Sequence, residues 1–338
     1  MDILELAKSI NKELGVKEGG LMTSNTPSMD IERISTGSLS YDIITGGGFP
    51  KGRMIGIEGM ESSGKSTTTL LALASYMKQD KRPAAIIDSE HAFDRKYAAN
   101  LGVDLDRLMI VQPDNLEDAA LFAQRLVESG DVGMLVFDSI KAAQPQKVIE
   151  EGVNQHNIGL QAKEVGNMLG SANPKLKKND VIMLVVNQQR ENPGGYGSGK
   201  VSPAANSLKF YASIRMEIFR GSKAENQSYG KHNLGWAKTV KNKTYPPYQE
   251  TDKYMMLYGT GICVSTEVLD YGTDIGVLYK QGNSYYYDET FENDPKDLKK
   301  HVNLGGSKHK CKLFLDDNLE LRQHLYDTIL FNWFNEEK

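Results

Sequence analysis

Residues 54–77 read MIGIEGMESSGKSTTTLLALASYM, and this stretch decides the fold. Its middle, Gly59-Met60-Glu61-Ser62-Ser63-Gly64-Lys65-Ser66, matches G-x-x-x-x-G-K-[ST] in full. The run Met54 to Glu58 predicts a strand before it, and Thr67 to Met77 carries the pattern of a helix after it. Glycines let such a loop curl so that its backbone N–H groups point inward, and the helix N-terminus adds favourable potential for anions. Lys65 would then reach the β- and γ-phosphates of a nucleotide, and Ser66 would coordinate Mg²⁺. A chance Gly-Lys-Ser turn is the alternative, and it accounts for neither flank.

Outward from this loop, apolar runs alternate with helical patterns. Ala84 to Asp88, Met134 to Phe137 and Val181 to Val186 predict strands. Leu116 to Glu128 and Gly159 to Gly170 predict helices, the first with Leu116, Ala119, Ala120, Ala123 and Val127 on one face. Strands bordered by helices at this rhythm mean βαβ units and a parallel sheet. Phe210 to Phe219, Trp236 to Val240 and Tyr254 to Leu257 alternate more like antiparallel strands, so the sheet is expected to be mixed at one edge. The expected class is α/β, a P-loop core with a mixed, mainly parallel sheet.

A metal–phosphate site needs a carboxylate at the end of a neighbouring strand, and Asp138 ends the run Met134-Leu135-Val136-Phe137. Hydrolysis also needs a group that orients or deprotonates water. Glu90 lies two residues past Asp88, at the sheet edge that faces the ligand crevice in an open α/β fold. Asp88 is the rival base. Asn187 and Gln188 end the Val181 to Val186 strand, where an amide bonds a γ-phosphate or simply caps the strand. The guanine-reading N-K-x-D pattern is absent, since Asn242-Lys243 is followed by Thr244 and Tyr245. ATP is the expected nucleotide.

In 338 residues, 39% hydrophobic and 25% charged, there is material for a full core, which excludes disordered and fibrous classes. Length suggests two domains. The longest purely apolar run, Val181 to Val186, falls far short of the ~20 residues a membrane helix needs. The opening MDILELAKSINKELG mixes acids and lysines and does not read as a secretory signal. Cys263 and Cys311 lie far apart without C-x-x-C spacing, which disfavours a disulfide scaffold or a zinc site. A cytoplasmic protein is expected. A net charge of −4 argues only weakly against nucleic-acid binding, which follows local field. Residues 231–243 hold four lysines and no acid, and residues 296–312 hold six lysines against one Asp.

At the N-terminus, Ile3, Leu6, Ala7, Ile10 and Leu14 recur at helical spacing before Gly15. Such a helix either packs on its own domain or docks on a neighbouring subunit. From about Val268 the chain turns Tyr-rich (Tyr285, Tyr286, Tyr287), then basic, then helical from Asn318 to Phe334, with Leu321, Leu325, Ile329 and Phe331 in a stripe. This reads as a second, smaller domain.

Several ordered motifs together resemble the bacterial RecA recombinase family. They are Ile34-Ser35-Thr36-Gly37-Ser38-Leu39-Ser40, the loop Glu61-Ser62-Ser63-Gly64-Lys65-Ser66-Thr67 and Ile87-Asp88-Ser89-Glu90-His91-Ala92. Val136-Phe137-Asp138-Ser139-Ile140, Leu208-Lys209-Phe210-Tyr211-Ala212-Ser213 and Val240-Lys241-Asn242-Lys243 complete the set. The likeness runs from about residue 4 to about 280 and more weakly beyond, as in a divergent relative, bacterial or phage-encoded. It implies an N-terminal oligomerisation arm (1–32), a RecA-like ATPase core (33–267) and a C-terminal α+β domain (268–338) that captures duplex DNA; the lysines between Lys296 and Lys312 fit such a surface or form a solvated exposed face. The implied activity is Mg²⁺- and ssDNA-dependent ATP hydrolysis by a helical filament that pairs ssDNA with homologous dsDNA in recombination and repair. Single-strand-binding and loader proteins are further partners the likeness leaves room for.

Residue by residue, the resemblance implies that Glu90 is the catalytic carboxylate and that Gln188 reports the γ-phosphate to the loop after it. It implies that Asp94 and Tyr97 contact adenine, and that Lys241 and Lys243 reach the ATP of the neighbouring subunit where other NTPases use an arginine finger. Without the likeness, a solvated basic edge would be the reading of those two lysines. The first DNA loop, Glu150 to Gly159, would supply Asn157 and Ile158, with Lys163 on the following helix. The second, Gln189 to Asn206, would supply Arg190, Tyr196, Lys200, Ala204, Ala205 and Asn206. Its glycines permit close phosphate approach, and Tyr196 could stack on bases. Ile3, Leu6 and Ile10 would meet a neighbour near Lys209 and Phe210.

The chain departs from the family pattern at Ala204-Ala205, where Gly-Gly is usual, and at Met60, where Pro is common. It ends Asn335-Glu336-Glu337-Lys338 without the longer acidic tail of bacterial members, so weaker self-inhibition of duplex entry is expected. A ring-forming, helicase-like ATPase on the same core and a non-catalytic recombinase paralogue are the alternative readings.

Overall fold

In a computed structural model of the chain, residues 2–15, 20–23, 30–152, 159–189, 203–226, 229–288 and 298–336 are described. The chain opens with α1 (Ile3–Glu13), β1 (Arg33–Ile34), α2 (Leu39–Thr45) and β2 (Phe49–Pro50). Next come β3 (Met54–Gly59), α3 (Lys65–Gln79), β4 (Ala84–Asp88), α4 (Arg95–Asn100), β5 (Leu108–Val111), α5 (Leu116–Ser129) and β6 (Met134–Asp138). Then follow α6 (Gln146–Glu151), α7 (Leu160–Asn179), β7 (Ile182–Gln188), α8 (Pro203–Tyr211), β8 (Ile214–Asn226), β9 (Gly230–Asn242), β10 (Tyr254–Leu257) and β11 (Gly261–Ile262). The last part holds α9 (Val264–Asp274), β12 (Leu278–Gln281), β13 (Ser284–Tyr287), β14 (Val302–Gly305), α10 (Lys308–Asp317) and α11 (Leu319–Glu336).

A nine-stranded sheet in the order β11-β10-β9-β8-β3-β7-β6-β4-β5 forms the centre. From β8 through β3 to β5 every pairing is parallel, and β9, β10 and β11 continue it antiparallel, the mixed edge that the alternating runs imply. Successive strand residues point to opposite faces, so each buried strand feeds two cores. Ile55, Ile57, Ile86, Val136 and Leu184 pack on one face with Leu70, Leu73 and Tyr76 of α3. Met54, Ile87, Leu135, Phe137, Met183 and Val185 pack on the other with α5, α7 and α8.

Several boundaries differ from the sequence reading. Phe210 stands in α8 and not on a strand: Leu208 and Ala212 turn inward at i, i+4 spacing, leaving Phe210 77% exposed. The expected first DNA loop begins inside α6, which carries Glu150. α7 runs to Asn179 through Gly170 and Pro174, because Val165, Met168, Leu169, Ala172 and Leu176 keep a buried stripe going past both. The short strand β5 and helix α2 drew no expectation. β5 is a four-residue edge strand with half its side chains outward, too short to announce a period.

The segment from α9 onward adds a three-stranded sheet, β12-β13-β14, backed by α10 and α11. The expected domain junction at 267/268 falls inside α9, and polar side chains tie this segment to α2. Glu267 of α9 accepts from Ser38 Oγ (2.8 Å) and Leu39 N (3.1 Å), so it caps the α2 N-terminus. Tyr326 OH donates to Asp42 Oδ2 (2.6 Å), whose other oxygen accepts from Thr36 N and Thr36 Oγ1.

Burial pushes Glu267 from 4.5 up to about 7, against the downward pull of its serine and backbone donors. The folded state therefore keeps this proton where the unfolded chain releases it. The associated stability is complete below about pH 4.5 and is lost as pH rises through about 7. The melting-temperature gap between wild type and Glu267→Gln is expected to shift against wild type across that window and to be flat above it. At about 1.4 kcal/mol per unit the total is at most a few kcal/mol. A pH-independent gap would contradict the protonated folded state.

Candidate nucleotide site

The motif glycines and serines bring a cradle together between β3 and α3. Gly59 ends β3, and a Cβ there would sit 2.5 Å from Ile218 O, so only glycine fits. Ser62 (φ 58°) and Gly64 (φ 101°) take left-handed conformations, which turns successive N–H groups to one side. Met60, Glu61 and Ser62 are exposed, whereas Ser63 is buried with no hydrogen-bond partner for its Oγ among the described residues. Lys65 is buried and its Nζ donates to Met60 O at 2.6 Å, folding the ammonium back over the loop. Burial lowers the Lys65 pKa, while Asp138, Glu90 and Glu61 pull it up. An orphan hydroxyl, a cluster of left-handed turns and a half-desolvated ammonium make up a site that fits a polyphosphate.

Asp138 ends β6 beside the start of α3, and Ser66 Oγ donates to its Oδ2 (3.2 Å). Burial first, then Glu90 and Asp88, push Asp138 up to about 6, a concentration of negative potential that a cation relieves. Among the described residues no group of three or more His, Cys, Asp or Glu is placed to hold a metal alone. One carboxylate and one hydroxyl suit Mg²⁺, which takes its remaining ligands from phosphates and water.

The two rival carboxylates have different surroundings. Asp88 is buried and engaged by Ala92 N (3.2 Å), Phe93 N (3.0 Å) and Gln112 Nε2 (2.9 Å), so it holds the turn after β4. Glu90 is exposed at the crevice, oriented by Ser139 Oγ (2.8 Å), a residue to which the motif reading gave no role. Gln188 stands at the end of β7 as the register partner of Gly59. Asp94 caps α4, accepting from Tyr97 N (3.0 Å), and the Tyr97 hydroxyl meets Thr67 Oγ1 (2.8 Å). Tyr97 lines a cavity of ≈ 480 Å³ against Gly64, Lys65 and Thr67. Arg220, Asn233, Met256 and Tyr258 line its far wall, none of them marked by a motif. They arrive from β8, β9, β10 and the β10–β11 turn, and only the sheet order brings them there.

Lys241 and Lys243 lie elsewhere. Asn242 pairs with Ile214, and Ile214 stands beside Ile55 near the start of β3, whereas the P-loop leaves the other end of that strand. Lys241 Nζ donates to the carbonyls of Lys209 (2.5 Å) and Phe210 (3.2 Å), satisfying the C-terminus of α8. Lys209, Phe210 and Lys241 thus share one surface at the strand ends opposite the nucleotide cradle. In α1, Ile3 (68% exposed), Leu6 and partly exposed Ile10 leave an apolar face open, and Ala7 alone of that helix is buried. Lys163 is exposed in the first turn of α7, Ala204 and Ala205 are in the first turn of α8, and Asn206 is exposed. Asn157, Ile158, Arg190, Tyr196 and Lys200 lie outside the described residues.

A parallel α/β sheet with a phosphate loop between strand and helix, and a carboxylate on a neighbouring strand end, defines a P-loop nucleoside-triphosphate-binding protein. Residues 2–263 match the RecA N-terminal domain. The chain is 37% identical over 336 residues to Protein RecA of Bacteroides thetaiotaomicron, covering 98% of this chain and 96% of that protein. It is 36% identical over 332 residues to Protein RecA of Francisella tularensis subsp. novicida, covering 97% and 88%. The chain belongs to the RecA family.

Proposed function

We propose that the protein is an ATP-switched homologous recombinase: a DNA-dependent ATPase that polymerises on ssDNA and pairs it with homologous dsDNA. The observation that carries this reading is the separation of Lys65, Asp138 and Glu90 from Lys241 and Lys243 across the sheet. A head-to-tail contact would bring one subunit's lysines to the next subunit's nucleotide, and repeated heterologous contacts that do not close make a filament. The exposed faces of α1 and of Phe210 support the same arrangement. Among the described residues no helix is long and apolar enough to cross a membrane.

In this reading Lys65 and the loop N–H groups would hold the β- and γ-phosphates, and Ser66 with Asp138 would hold Mg²⁺. Bound Mg²⁺ neutralises charge on the phosphates. Glu90, oriented by Ser139, accepts the proton of the attacking water, since Asp88 is spent on its turn. Asp94 and Tyr97 face the adenine, and Gln188 senses the terminal phosphate. The segments around Asn157, Ile158 and Lys163 and from Arg190 through Tyr196 and Lys200 to Asn206 contact DNA. Residues 1–32 act as the arm and residues 268–338 as the duplex-capturing domain. Lys308 and Lys312 there are ion-paired with Asp270 and Asp316 and Lys300 has a further interaction, so Lys299 and Lys310 are its stronger candidates among the described residues.

The test mixes two inactive proteins. Glu90→Gln and Lys243→Ala are each expected to hydrolyse ATP poorly with ssDNA, and an equimolar mixture to regain about a quarter of wild-type activity, the share of interfaces with both groups intact under random assembly. A mixture no more active than its parts would rule out catalysis in trans. Hydrolysis by wild type that ignores ssDNA would return the ring-forming reading.

A further inference from the structure

The turn that leaves β6 carries a lysine that no motif marks. Lys141 follows Asp138 by three residues, and the turn around it is held from three directions. Ile140 N donates to Val186 O on β7 (3.2 Å), and Ala142 N donates to Ser139 O (3.1 Å). The Gln161 amide on α7 donates to the carbonyls of Lys141 (3.2 Å) and Ala143 (2.6 Å). The side chain runs toward the nucleotide cradle: Nζ lies 3.5 Å from the Gln188 carbonyl oxygen. That carbonyl is at the end of β7, where Gln188 pairs with Gly59 and Gln189 N donates to Gly59 O (2.9 Å). The ammonium also lies within electrostatic reach of Lys65.

We propose that Lys141 is a second cation of the nucleotide site, supplied in cis, which reads the terminal phosphate. A 3.5 Å contact to a carbonyl is at the limit of a hydrogen bond, and a phosphate oxygen offers a shorter, charge-assisted one. With ATP bound, Lys141 leaves the Gln188 carbonyl for the γ-phosphate. With ADP there is no such oxygen, and the contact to Gln188 stays. Because only ATP interacts differently with the two arrangements, ATP alone shifts them. The turn that holds Lys141 is strapped by Gln161 to α7, the helix after the first proposed DNA segment. Its side chain touches the residue that precedes the second. One lysine thus links the terminal phosphate to the elements that flank both segments. The proposal rests on ATP occupying the loop at Gly59 to Ser66.

The test compares full-length wild type, Lys141→Met and Lys141→Arg without DNA. Affinities are measured by calorimetry for a non-hydrolysable ATP analogue and for ADP, each with Mg²⁺. Lys141→Met is expected to weaken analogue binding by about tenfold or more while ADP affinity stays within about twofold. Lys141→Arg is expected to keep most of the preference for the triphosphate. Equal losses for both nucleotides, as a merely structural lysine would produce, overturn the proposal, as does an unchanged analogue affinity in the Met variant. Wild type that binds neither nucleotide defeats the underlying ATP reading, a result separable from the variants' behaviour.

Discussion

Lys65→Ala protein is expected to hydrolyse ATP with saturating ssDNA at least about 10²- to 10³-fold more slowly than wild type, the usual cost of removing a donor aimed at developing charge. The ammonium is the buried cation at the centre of the cradle, flanked by Asp138, Glu90 and Glu61. Among the described residues its directed bond is to Met60 O. A phosphate displaces that bond for a charge-assisted one, so the lysine's favourable energy appears only with nucleotide. Truncation therefore removes binding and rate together and leaves the fold intact, because the Met60 carbonyl faces exposed residues and regains water. The assay is phosphate release with and without ssDNA, with thermal melting as the control for folding. Activity within a few-fold of wild type would remove Lys65 from the site and with it the reading of residues 59–66.

Glu90→Gln separates chemistry from switching. It keeps the Ser139 contact, since an amide oxygen still accepts from Ser139 Oγ, but it cannot take a proton from water. Hydrolysis is expected to fall by roughly 10²- to 10⁴-fold, while ATP binding and the pairing of homologous strands persist. In the proposed mechanism ATP binding alone biases the filament between its states, and hydrolysis only resets it. A variant that binds ATP but fails to pair strands would contradict this division of labour. An Asp88→Asn protein is the informative comparison. Its loss is expected in melting temperature, because the donors of Ala92, Phe93 and Gln112 would face a poorer acceptor.

The choice between Asp88 and Glu90 shows where reading the chain stops. Both are carboxylates at the end of one strand, and spacing alone ranks them weakly. Folding gives them different surroundings, because Asp88 is bonded into the turn it stabilises and Glu90 is exposed beside Ser139. Lys141 and Ser139 were silent for a similar reason. A lone lysine in a turn has no pattern and the motif holding Ser139 gives it no role, and only the closing of β6 against β7 and β4 gives either a neighbour. Phe210 misled because Phe210, Ala212, Ile214 and Met216 alternate in sequence across what is a helix end followed by a strand start. Period two and the last turn of a helix agree over so few residues.

Local chemistry therefore settles the cradle, the carboxylate on β6 and the parallel core, because each needs only neighbours in sequence: inward N–H groups from glycines, a helix start, an apolar run ending in Asp. Tertiary structure alone decides which strand edges meet. The order β9-β8-β3-β7 brings Arg220, Asn233 and Tyr258 to the cavity beside Lys65, residues about 150 or more positions distant along the chain. The same order sends Lys241 and Lys243 to the opposite strand ends, since β9 runs antiparallel to β3's neighbour and its C-terminal end lies where β3 begins. Strand direction is set by the long β8–β9 hairpin and by burial on both faces, and no window of sequence short enough to show a period contains it.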